Sequence, residues 1–239
     1  MSRLFSIIIP VYNEAEILAA SVAEVHNHLS ARQIEHEIII VSNGSTDRTS
    51  EIGHSLSKSQ ANVVFLELPE RGAGRAFVQG VKAARGDCIA TLDVDLSSEL
   101  IFLDYAYDLL RYADMVVGSK TMGNQKRSAI RVCASQLYIL LSNLAFNVTI
   151  SDYSIGSKAF RREAILGALP FLDPWTGHIF ELCLYLHCHK RKVVQIGIDC
   201  QDLRRSRFNL LHEGLYRYTH LWRCWRKLKD RNSWFFQDA

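Results

Sequence analysis

Residues 89–96 read IATLDVDL, and the rest of the chain can be interpreted outward from this stretch. The mostly apolar run from Cys88 to Leu92 predicts a buried strand that delivers two carboxylates, Asp93 and Asp95, to the point where the strand ends. Alternate residues of an extended segment point to the same side, so the two carboxylates are expected to share one face. Like charges this close repel each other unless a cation or hydrogen-bond donors lie between them.

A divalent metal ion is one explanation for such a pair. Hard divalent ions take oxygen ligands, and Mg²⁺ usually joins one or two carboxylates to substrate phosphates. Ligands of open α/β sheets bind at the carboxyl ends of strands. The pair therefore predicts a metal-assisted nucleoside-diphosphate site. The D-x-D pattern alone has low specificity, because such pairs also occur in surface turns and at helix N-termini.

Strands and helices alternate on both sides of this stretch. Continuous apolar, β-branched runs are typical of strands that are buried on both faces. Repeated strand–helix units predict an α/β fold with a mainly parallel sheet, right-handed crossovers and helices on both faces. Strands are predicted at 5–11, 37–41, 63–68, 88–92 and 115–118. Four helices are predicted between them: one at 13–29, one that begins at 45 or 46, one that begins in the glycine-bearing segment after 71 and ends at 84, and one at 98–112. Asn13 and Ser45 or Thr46 are the predicted N-caps of the first two helices.

After Gly118 the alternation stops. Helices are predicted at 126–150, 161–169 and 176–187, a short strand within 152–160, a strand at 193–198, a basic loop at 203–207 and an amphipathic basic helix at 210–229. These patterns predict one large domain, residues 1–209, followed by a C-terminal helical segment (210–239).

Charge is distributed unevenly along the chain. The 239 residues carry a net charge of +3, but residues 201–239 hold nine Lys and Arg against four Asp and Glu. A basic end favours an anionic partner such as an anionic lipid or a phosphorylated acceptor, although an idle solvated helix face has the same composition. No aromatic stacking platform accompanies the charge, so no nucleic-acid partner is expected.

The expected location is cytoplasmic, possibly at the cytoplasmic membrane face. Six cysteines without a disulfide spacing favour a reducing compartment, and the first residues lack the pattern of a signal peptide. Residues 132–151 contain no formal charge and are long enough to span a bilayer, but their polar residues favour a packed or interfacial helix. The segment Cys183–His189 contains possible zinc ligands but has no paired C-x-x-C partner, which argues against a zinc site there.

Five ordered motifs resemble those of one enzyme family. They are PVYNE at 10–14, SNGSTD at 42–47, RGAGRA at 71–76, DVD at 93–95 and DYSIGSKAF at 152–160. Together they resemble the family 2 glycosyltransferases of the GT-A fold, and most closely the polyprenyl (dolichyl) phosphate hexose synthases. The resemblance implies a Rossmann-like central sheet, with a nucleotide-sugar half at 1–120 and an acceptor half at 121–209. It also implies an inverting hexosyltransferase that depends on Mg²⁺ or Mn²⁺. The donor would be a GDP- or UDP-hexose and the acceptor a polyprenyl phosphate. A glycan or small-molecule acceptor, and a non-catalytic nucleotide-binding relative, remain alternatives.

The resemblance also implies roles for individual residues. It assigns the wall of the nucleotide base and ribose to Pro10, Tyr12 and Glu14. Asp95 is the implied direct metal ligand, and Asp93 is shared between the ribose and the metal. Lys120 would lie near the donor phosphates, and Arg205 and Arg207 would lie in a loop that closes on the pyrophosphate. A phosphate acceptor needs no strong general base, whereas a sugar hydroxyl needs a carboxylate to take its proton. Asp152 and Glu181 are the candidates for that role.

Two departures from the family pattern are visible. The usual D-D-G-S turn is S-N-G-S at residues 42–45, so Asn43 keeps an acceptor but loses the charge, which leaves the choice of donor base open. The chain also ends in WRCWRKLKDRNSWFF, where tryptophans beside cations are typical of a membrane interface. We therefore expect peripheral membrane contact, with a helix packed on the domain as the alternative.

Overall fold

The structure is a computed structural model that describes residues 3–126, 129–201, 210–230 and 232–237. The strands are β1 Phe5–Val11, β2 His36–Asn43, β3 Val63–Leu68, β4 Cys88–Thr91, β5 Met115–Ser119, β6 Gln125–Lys126, β7 Lys158–Arg161, β8 Val193–Gly197 and β9 Cys200–Gln201. The α-helices are α1 Leu18–Ala31, α2 Thr49–Ser59, α3 Ala73–Ala83, α4 Ile101–Leu109, α5 Ala129–Phe146, α6 Arg162–Ile165, α7 His178–Cys188 and α8 Leu210–Lys229. Short 3₁₀ helices cover Leu166–Phe171 and Trp234–Phe236.

Seven strands form one central sheet in the order β3-β2-β1-β4-β7-β5-β8. Every neighbouring pair is parallel except the two that involve β7, which runs antiparallel to both β4 and β5. Because β1, β2 and β4 are parallel, their carboxyl ends meet at one edge of the sheet, where ligands of such folds bind. The predicted α/β class with a mainly parallel sheet and helices on both faces is confirmed.

Each face of the sheet carries its own apolar core, because successive side chains of a strand point to opposite sides. Ile8 of β1 lies in one core with Phe77 of α3 and Phe180 of α7. Ile7 of the same strand lies in the other core with Phe102 of α4. The continuous apolar runs seen in the sequence therefore have a structural reason, since both faces of the sheet are covered.

Strand β7 was predicted only as a short strand without a position in the sheet. It lies between β4 and β5 and pairs Ala159 with both Ala90 and Val116. The ring of Phe160 packs at 5.6 Å from that of Phe77. This insertion places the segment just before β7 directly beside the end of β4.

Some predicted helix boundaries were wrong. Helix α1 begins at Leu18 rather than at Asn13, which has a left-handed backbone with φ of 55° and accepts a hydrogen bond from the Thr46 N–H at 2.7 Å. Helix α2 begins at Thr49, and the Asp47 carboxylate accepts the Thr49 N–H at 3.0 Å. Asn13 therefore links the turn after β1 to the turn after β2, and Asp47 organises the turn before α2. The spacing of residues in the sequence did not reveal either role.

Three further helices are shorter than predicted. Helix α4 covers only residues 101–109, and α5 ends at Phe146, where Asn147 has a φ of 52°. The predicted helix at 161–169 is one α-helical turn followed by a 3₁₀ segment that contains Pro170. Within the described residues, no helix combines the length and the apolar character needed to cross a bilayer.

We expect Phe160→Ala to lower the free energy of unfolding by about 3–5 kcal/mol, because it removes a fully buried ring from the strand that joins the two halves of the sheet. Tyr112→Ala is the matched control, because this ring is 72% exposed and its loss should change stability by no more than about 0.5 kcal/mol. Urea unfolding followed by circular dichroism measures both. Equal midpoints for the two variants would contradict the central position of β7.

Candidate functional site

The two carboxylates of the D-V-D motif lie in the turn that follows β4. The strand ends at Thr91, earlier than predicted, so Asp93 and Asp95 are held by the turn and not by strand alternation. The Gly156 N–H donates to Asp93 Oδ2 at 2.8 Å, and the Ser97 N–H donates to Asp95 Oδ1 at 3.1 Å. Both carboxylates are exposed at the carboxyl edge of the sheet. Both carboxylates lie at the edge of the sheet where they were expected, but the turn after β4 places them there and not the alternation of a strand.

The protein environment of Asp93 opposes its negative charge. Burial among surrounding protein atoms raises the pKa of Asp93, and the nearby Asp95 carboxylate raises it further. The group nevertheless stays open to solvent on one side, as expected for the wall of a cleft. A cation bound between two such carboxylates would stabilise their ionised forms.

A buried lysine supports Asp93 through a single peptide unit. Lys158 of β7 is fully buried, and its Nζ donates to the Ile155 carbonyl at 2.8 Å and to the Gly118 carbonyl at 3.3 Å. The Ile155 carbonyl belongs to the same peptide group as the Gly156 N–H that donates to Asp93. The ammonium group therefore orients and polarises the peptide that holds this carboxylate.

Gly156 is required by this close approach. A Cβ atom at this position would lie 2.6 Å from both Cγ and Oδ1 of Asp93 and 2.7 Å from its backbone nitrogen. The atoms in contact belong to the carboxylate and its own backbone, so the loop could not simply shift away. A side chain at residue 156 would displace the carboxylate or the β4 turn.

Lys158 shares its surroundings with the ion pair of Lys120 and Asp152. Burial lowers the pKa of Lys158 to about 8, whereas the Asp152 carboxylate opposes that shift. Burial alone would raise the pKa of Asp152, but the lysines Lys158 and Lys120 together with hydrogen bonds hold it at about 2. Lys120 Nζ lies 3.3 Å from Asp152 Oδ2 and donates to Ser154 Oγ at 2.6 Å. Two cations and one anion therefore lie beneath the D-V-D turn.

The ends of β1 and β2 form the opposite side of the edge. Asn43 is 8% exposed, its Nδ2 donates to the Val11 carbonyl at 2.8 Å, and its Oδ1 accepts the Gly72 N–H at 3.3 Å. An amide is needed here, because a carboxylate at this position could not donate to Val11. The departure from the usual aspartate thus has a structural role, since Asn43 links β1 to the RGAG segment.

An arginine lies against the predicted nucleotide wall. The guanidinium of Arg71 lies 3.9 Å from the centroid of the Tyr12 ring and 5.6 Å from that of Trp175. Contacts between a cation and aromatic faces hold the guanidinium in place, and they are stronger where water is partly excluded. Pro10 is half-buried, and Glu14 donates its backbone N–H to Thr49 Oγ1 at 2.8 Å. Tyr12, Pro10 and Glu14 therefore lie together at the β1 end of the edge, next to an Arg71 that the sequence analysis did not select.

Comparison with known proteins agrees with this architecture. The model of the family described as Glycosyl transferase family 2 matches residues 6–166. The chain is a member of glycosyl transferase family 2. An undecaprenyl-phosphate 4-deoxy-4-formamido-L-arabinose transferase of Pseudomonas fluorescens is 30% identical over 167 residues, which are 68% of this chain and 48% of the relative. Glycosyltransferase AglD of Haloferax volcanii is 26% identical over 238 residues, 95% of this chain and 38% of the relative.

A solved structure shows the same fold. Glucosyl-3-phosphoglycerate synthase from Mycobacterium tuberculosis, crystallised with Mn²⁺ and UDP-glucose, superposes with a TM-score of 0.70 at 17% identity, over 93% of this chain and 79% of that one. The fold of this family 2 chain is therefore the GT-A fold. The chain spans about half the length, or less, of the curated relatives that it matches.

The remaining predicted site residues of the family 2 chain are buried within the protein or fall outside the described residues. Glu181 is 2% exposed and faces α8, where His220 Nε2 lies 3.2 Å from its Oε1. Asp152 is 1% exposed and paired with Lys120. Arg205 and Arg207 lie outside the described residues. The carboxylates of Asp152 and Glu181 are thus enclosed by protein, which argues against either of them taking a proton from an acceptor.

Sequence reasoning missed two residues that organise the site of this family 2 chain. Gly156 and Lys158 lie within the DYSIGSKAF motif, but the sequence does not show that β7 inserts beside β4. A lysine between apolar residues in a predicted strand, as in S-K-A-F at 157–160, is the available signal, because a lysine is almost never buried without a partner.

We expect Lys158→Met to raise the pKa of Asp93, because it removes a nearby cation and releases the peptide that donates to this carboxylate. It should also lower the free energy of unfolding by about 1–3 kcal/mol, since two buried carbonyls lose their donor. Carboxyl NMR titration and urea unfolding give the two readouts. Lys192→Met, which changes an exposed lysine, is the control. An unchanged Asp93 pKa in a folded Lys158→Met protein would show that the lysine does not act through the Ile155–Gly156 peptide.

Proposed function

We propose that this chain is an inverting, metal-dependent glycosyltransferase that moves a sugar from a nucleotide-sugar to a polyprenyl phosphate. The observation that carries the proposal is the pair Asp93 and Asp95, exposed together at the carboxyl edge of a family 2 sheet. The names of the bacterial relatives specify an undecaprenyl-phosphate acceptor, which supports a lipid phosphate here as well.

The residues of the D-V-D turn fit a divalent ion. They offer oxygen ligands and are open to solvent. Burial, and after it the nearby Asp95 carboxylate, raises the pKa of Asp93, and a bound cation would oppose that shift. Asp93 and Asp95 would hold Mg²⁺ or Mn²⁺. When bound, the ion would stabilise the negative charge that develops on the departing nucleoside diphosphate.

The remaining donor contacts follow from the edge of the sheet. Tyr12 and Pro10, with Glu14 beside them, would line the base and ribose of the donor. The Arg71 guanidinium, which lies over the Tyr12 ring, would either cover the base or shift aside when the base binds. Asn43 would act through its backbone links, because both ends of its amide already have partners. Lys120, together with Arg205 and Arg207, would supply positive charge to the donor phosphates, and Lys120 would have to leave Asp152 to do so directly.

The acceptor defines the chemistry at the sugar. An oxygen of the lipid phosphate would attack the anomeric carbon, the bond between that carbon and the donor phosphate would break, and the nucleoside diphosphate would leave. A phosphate oxygen is already a nucleophile at neutral pH, so this step needs no strong general base. The burial of Asp152 and Glu181 therefore fits a phosphate acceptor better than a sugar hydroxyl. One relative's name specifies an arabinose derivative, so the hexose of our sequence analysis remains a prediction.

A surface of α5 and α8 would bring the chain to its lipid acceptor. Leu144 of α5 is 73% exposed, and Leu215 and Trp222 of α8 are 71% and 56% exposed. Cations accompany the aromatic rings of α8, with Arg226 at 5.0 Å from the Trp222 ring and Lys229 Nζ at 3.4 Å from the Trp225 ring. Exposed apolar side chains flanked by cations match the interface of an anionic bilayer.

We expect Asp95→Ala to weaken Mn²⁺-dependent binding of UDP or GDP by at least about 10-fold, because one of two metal-binding carboxylates is lost. Asp108→Ala, at an exposed carboxylate of α4, is the control and should bind like the unchanged protein. Isothermal titration with each nucleotide, with and without Mn²⁺, makes the comparison. Equal, metal-independent binding by both variants would contradict the role of the D-V-D turn.

The acceptor is tested separately, by transfer from UDP-glucose and GDP-mannose to undecaprenyl phosphate, phosphoglycerate or an oligosaccharide. We expect a product only with the lipid phosphate. A product with the oligosaccharide or phosphoglycerate alone would replace the lipid acceptor with a soluble one. Donor binding without any transfer or hydrolysis would identify a non-catalytic relative.

Replacing Trp222 and Trp225 together by alanine should weaken binding to phosphatidylglycerol vesicles by about 10-fold or more, because both rings that would enter the interface are lost. Binding of the unchanged protein should also fall with added salt. Tyr105→Ala, at an exposed ring of α4, is the control. Vesicle co-sedimentation gives the readout, and sedimentation velocity distinguishes the alternative that the surface joins two copies of the chain. Unaltered vesicle binding by the double variant would exclude this surface as the contact.

A further inference from the structure

A second cluster of possible metal ligands lies between α7 and α8 and shares no residue with the D-V-D turn. Glu181 of α7 meets His220 and Cys224 of α8, which are four residues apart and therefore on the same face of the helix. Their exposed fractions are 2%, 4% and 0%. The mechanism proposed above uses none of the three side chains.

The ligand atoms of this cluster form a compact triangle. Glu181 Oε1 lies 3.2 Å from His220 Nε2 and 3.8 Å from Cys224 Sγ, and Sγ lies 3.8 Å from Nε2. In a tetrahedral zinc site with bonds of about 2.0–2.3 Å, neighbouring ligand atoms lie roughly 3.3–3.6 Å apart. The observed spacing differs from that geometry by roughly a few tenths of an ångström, which small side-chain rotations can supply.

We propose that Glu181, His220 and Cys224 bind one Zn²⁺ ion that joins α8 to α7. One carboxylate, one imidazole and one thiolate are three of the ligand types that zinc takes, whereas Mg²⁺ and Ca²⁺ require oxygen ligands. A water molecule would complete the tetrahedron. The proposal does not depend on the proposed transferase activity.

Charge balance supports an ion in this buried position. A divalent cation with one carboxylate, one thiolate and one neutral imidazole has a net charge of zero, which reduces the cost of burial. The thiolate in this balance follows from zinc itself, because the ion deprotonates a coordinating thiol.

The surrounding contacts hold the ligands in place. The Asp173 N–H donates to Glu181 Oε2 at 2.5 Å, which leaves Oε1 directed toward α8. Such second contacts commonly fix the orientation of metal ligands. Gly177 makes room for the imidazole, because a Cβ there would lie 2.4–2.7 Å from three atoms of the His220 ring.

Among the described residues, the side chain of Lys227 lies close enough to Glu181 to compete with the ion. Its Nζ lies 3.8 Å from Glu181 Oε1, and its side chain is 47% exposed, so it can move into solvent when an ion binds. As long as the ammonium group stays beside Glu181, its charge repels the ion. Removing that charge should therefore strengthen metal binding, a response that a simple Glu–His ion pair does not predict.

Cobalt and zinc titrations of the full chain, purified without a metal-affinity step, test the proposal. We expect one zinc per chain by elemental analysis, and a thiolate-to-cobalt charge-transfer band when Co²⁺ is added to the metal-free protein. Cys224→Ser should abolish the band and weaken Zn²⁺ binding by more than about 100-fold, because even the loss of an outer contact costs about 10–100-fold. Cys133→Ser, at an exposed cysteine of α5, should retain both properties.

Two further variants keep the test decisive. Lys227→Met should fold and bind Zn²⁺ more tightly than the unchanged chain, which covers the case in which Cys224→Ser fails to fold. Asp95→Ala should bind Zn²⁺ at the cluster normally even though its nucleotide binding is impaired, so failure of the two proposals can be told apart. A chain without stoichiometric zinc or a cobalt band, a band that survives Cys224→Ser, or weaker binding by Lys227→Met would overturn the proposal.

Discussion

The arrangement of the site depends on holding two carboxylates together at the end of β4, against their mutual repulsion. Asp93 is the more constrained of the two, because its environment favours the protonated form. Its carboxylate accepts a hydrogen bond from the Gly156 N–H. The carbonyl of the same peptide group belongs to Ile155 and accepts a hydrogen bond from the buried ammonium of Lys158. A lysine that carries charge in the sheet interior thus helps to keep a carboxylate charged at the surface.

The antiparallel strand β7 makes this support possible. A sheet with only parallel strands would place β5 directly beside β4, and the loop that carries Gly156 would not reach Asp93. By entering between them, β7 brings Lys158 under the turn and places Asp152 and Lys120 next to it. The D-V-D turn and the charged network below it are therefore linked through a single short strand.

Helix α8 has two distinct faces. One face places His220 and Cys224 against Glu181 of α7, and the other exposes Trp222 and Leu215. Because the helix is rigid, whatever fixes the inner face also sets the orientation of the outer one. The proposed zinc site and the proposed membrane contact are thus physically connected, although they use different side chains of α8.

Much of the fold was accessible from residues alone, because local patterns carry it. The β-branched run at 5–11, the repeated strand–helix spacing and the position of Asp93 and Asp95 after an apolar strand are consequences of burial and periodicity, and the structure agrees with them. The order of the strands, the role of Asn43 as a link and the burial of Glu181 were not accessible in the same way.

The sequence by itself determined the class of the fold and the edge of the sheet where the chemistry lies, since hydrophobic periodicity and strand ends are properties of neighbouring residues. Only the tertiary structure decided what supports Asp93, because Lys158 lies 65 positions along the chain and approaches through an antiparallel insertion. It likewise decided that Glu181 meets His220 and Cys224, which lie 39 and 43 residues away. Contacts between distant segments depend on how whole elements pack, and no local pattern encodes that.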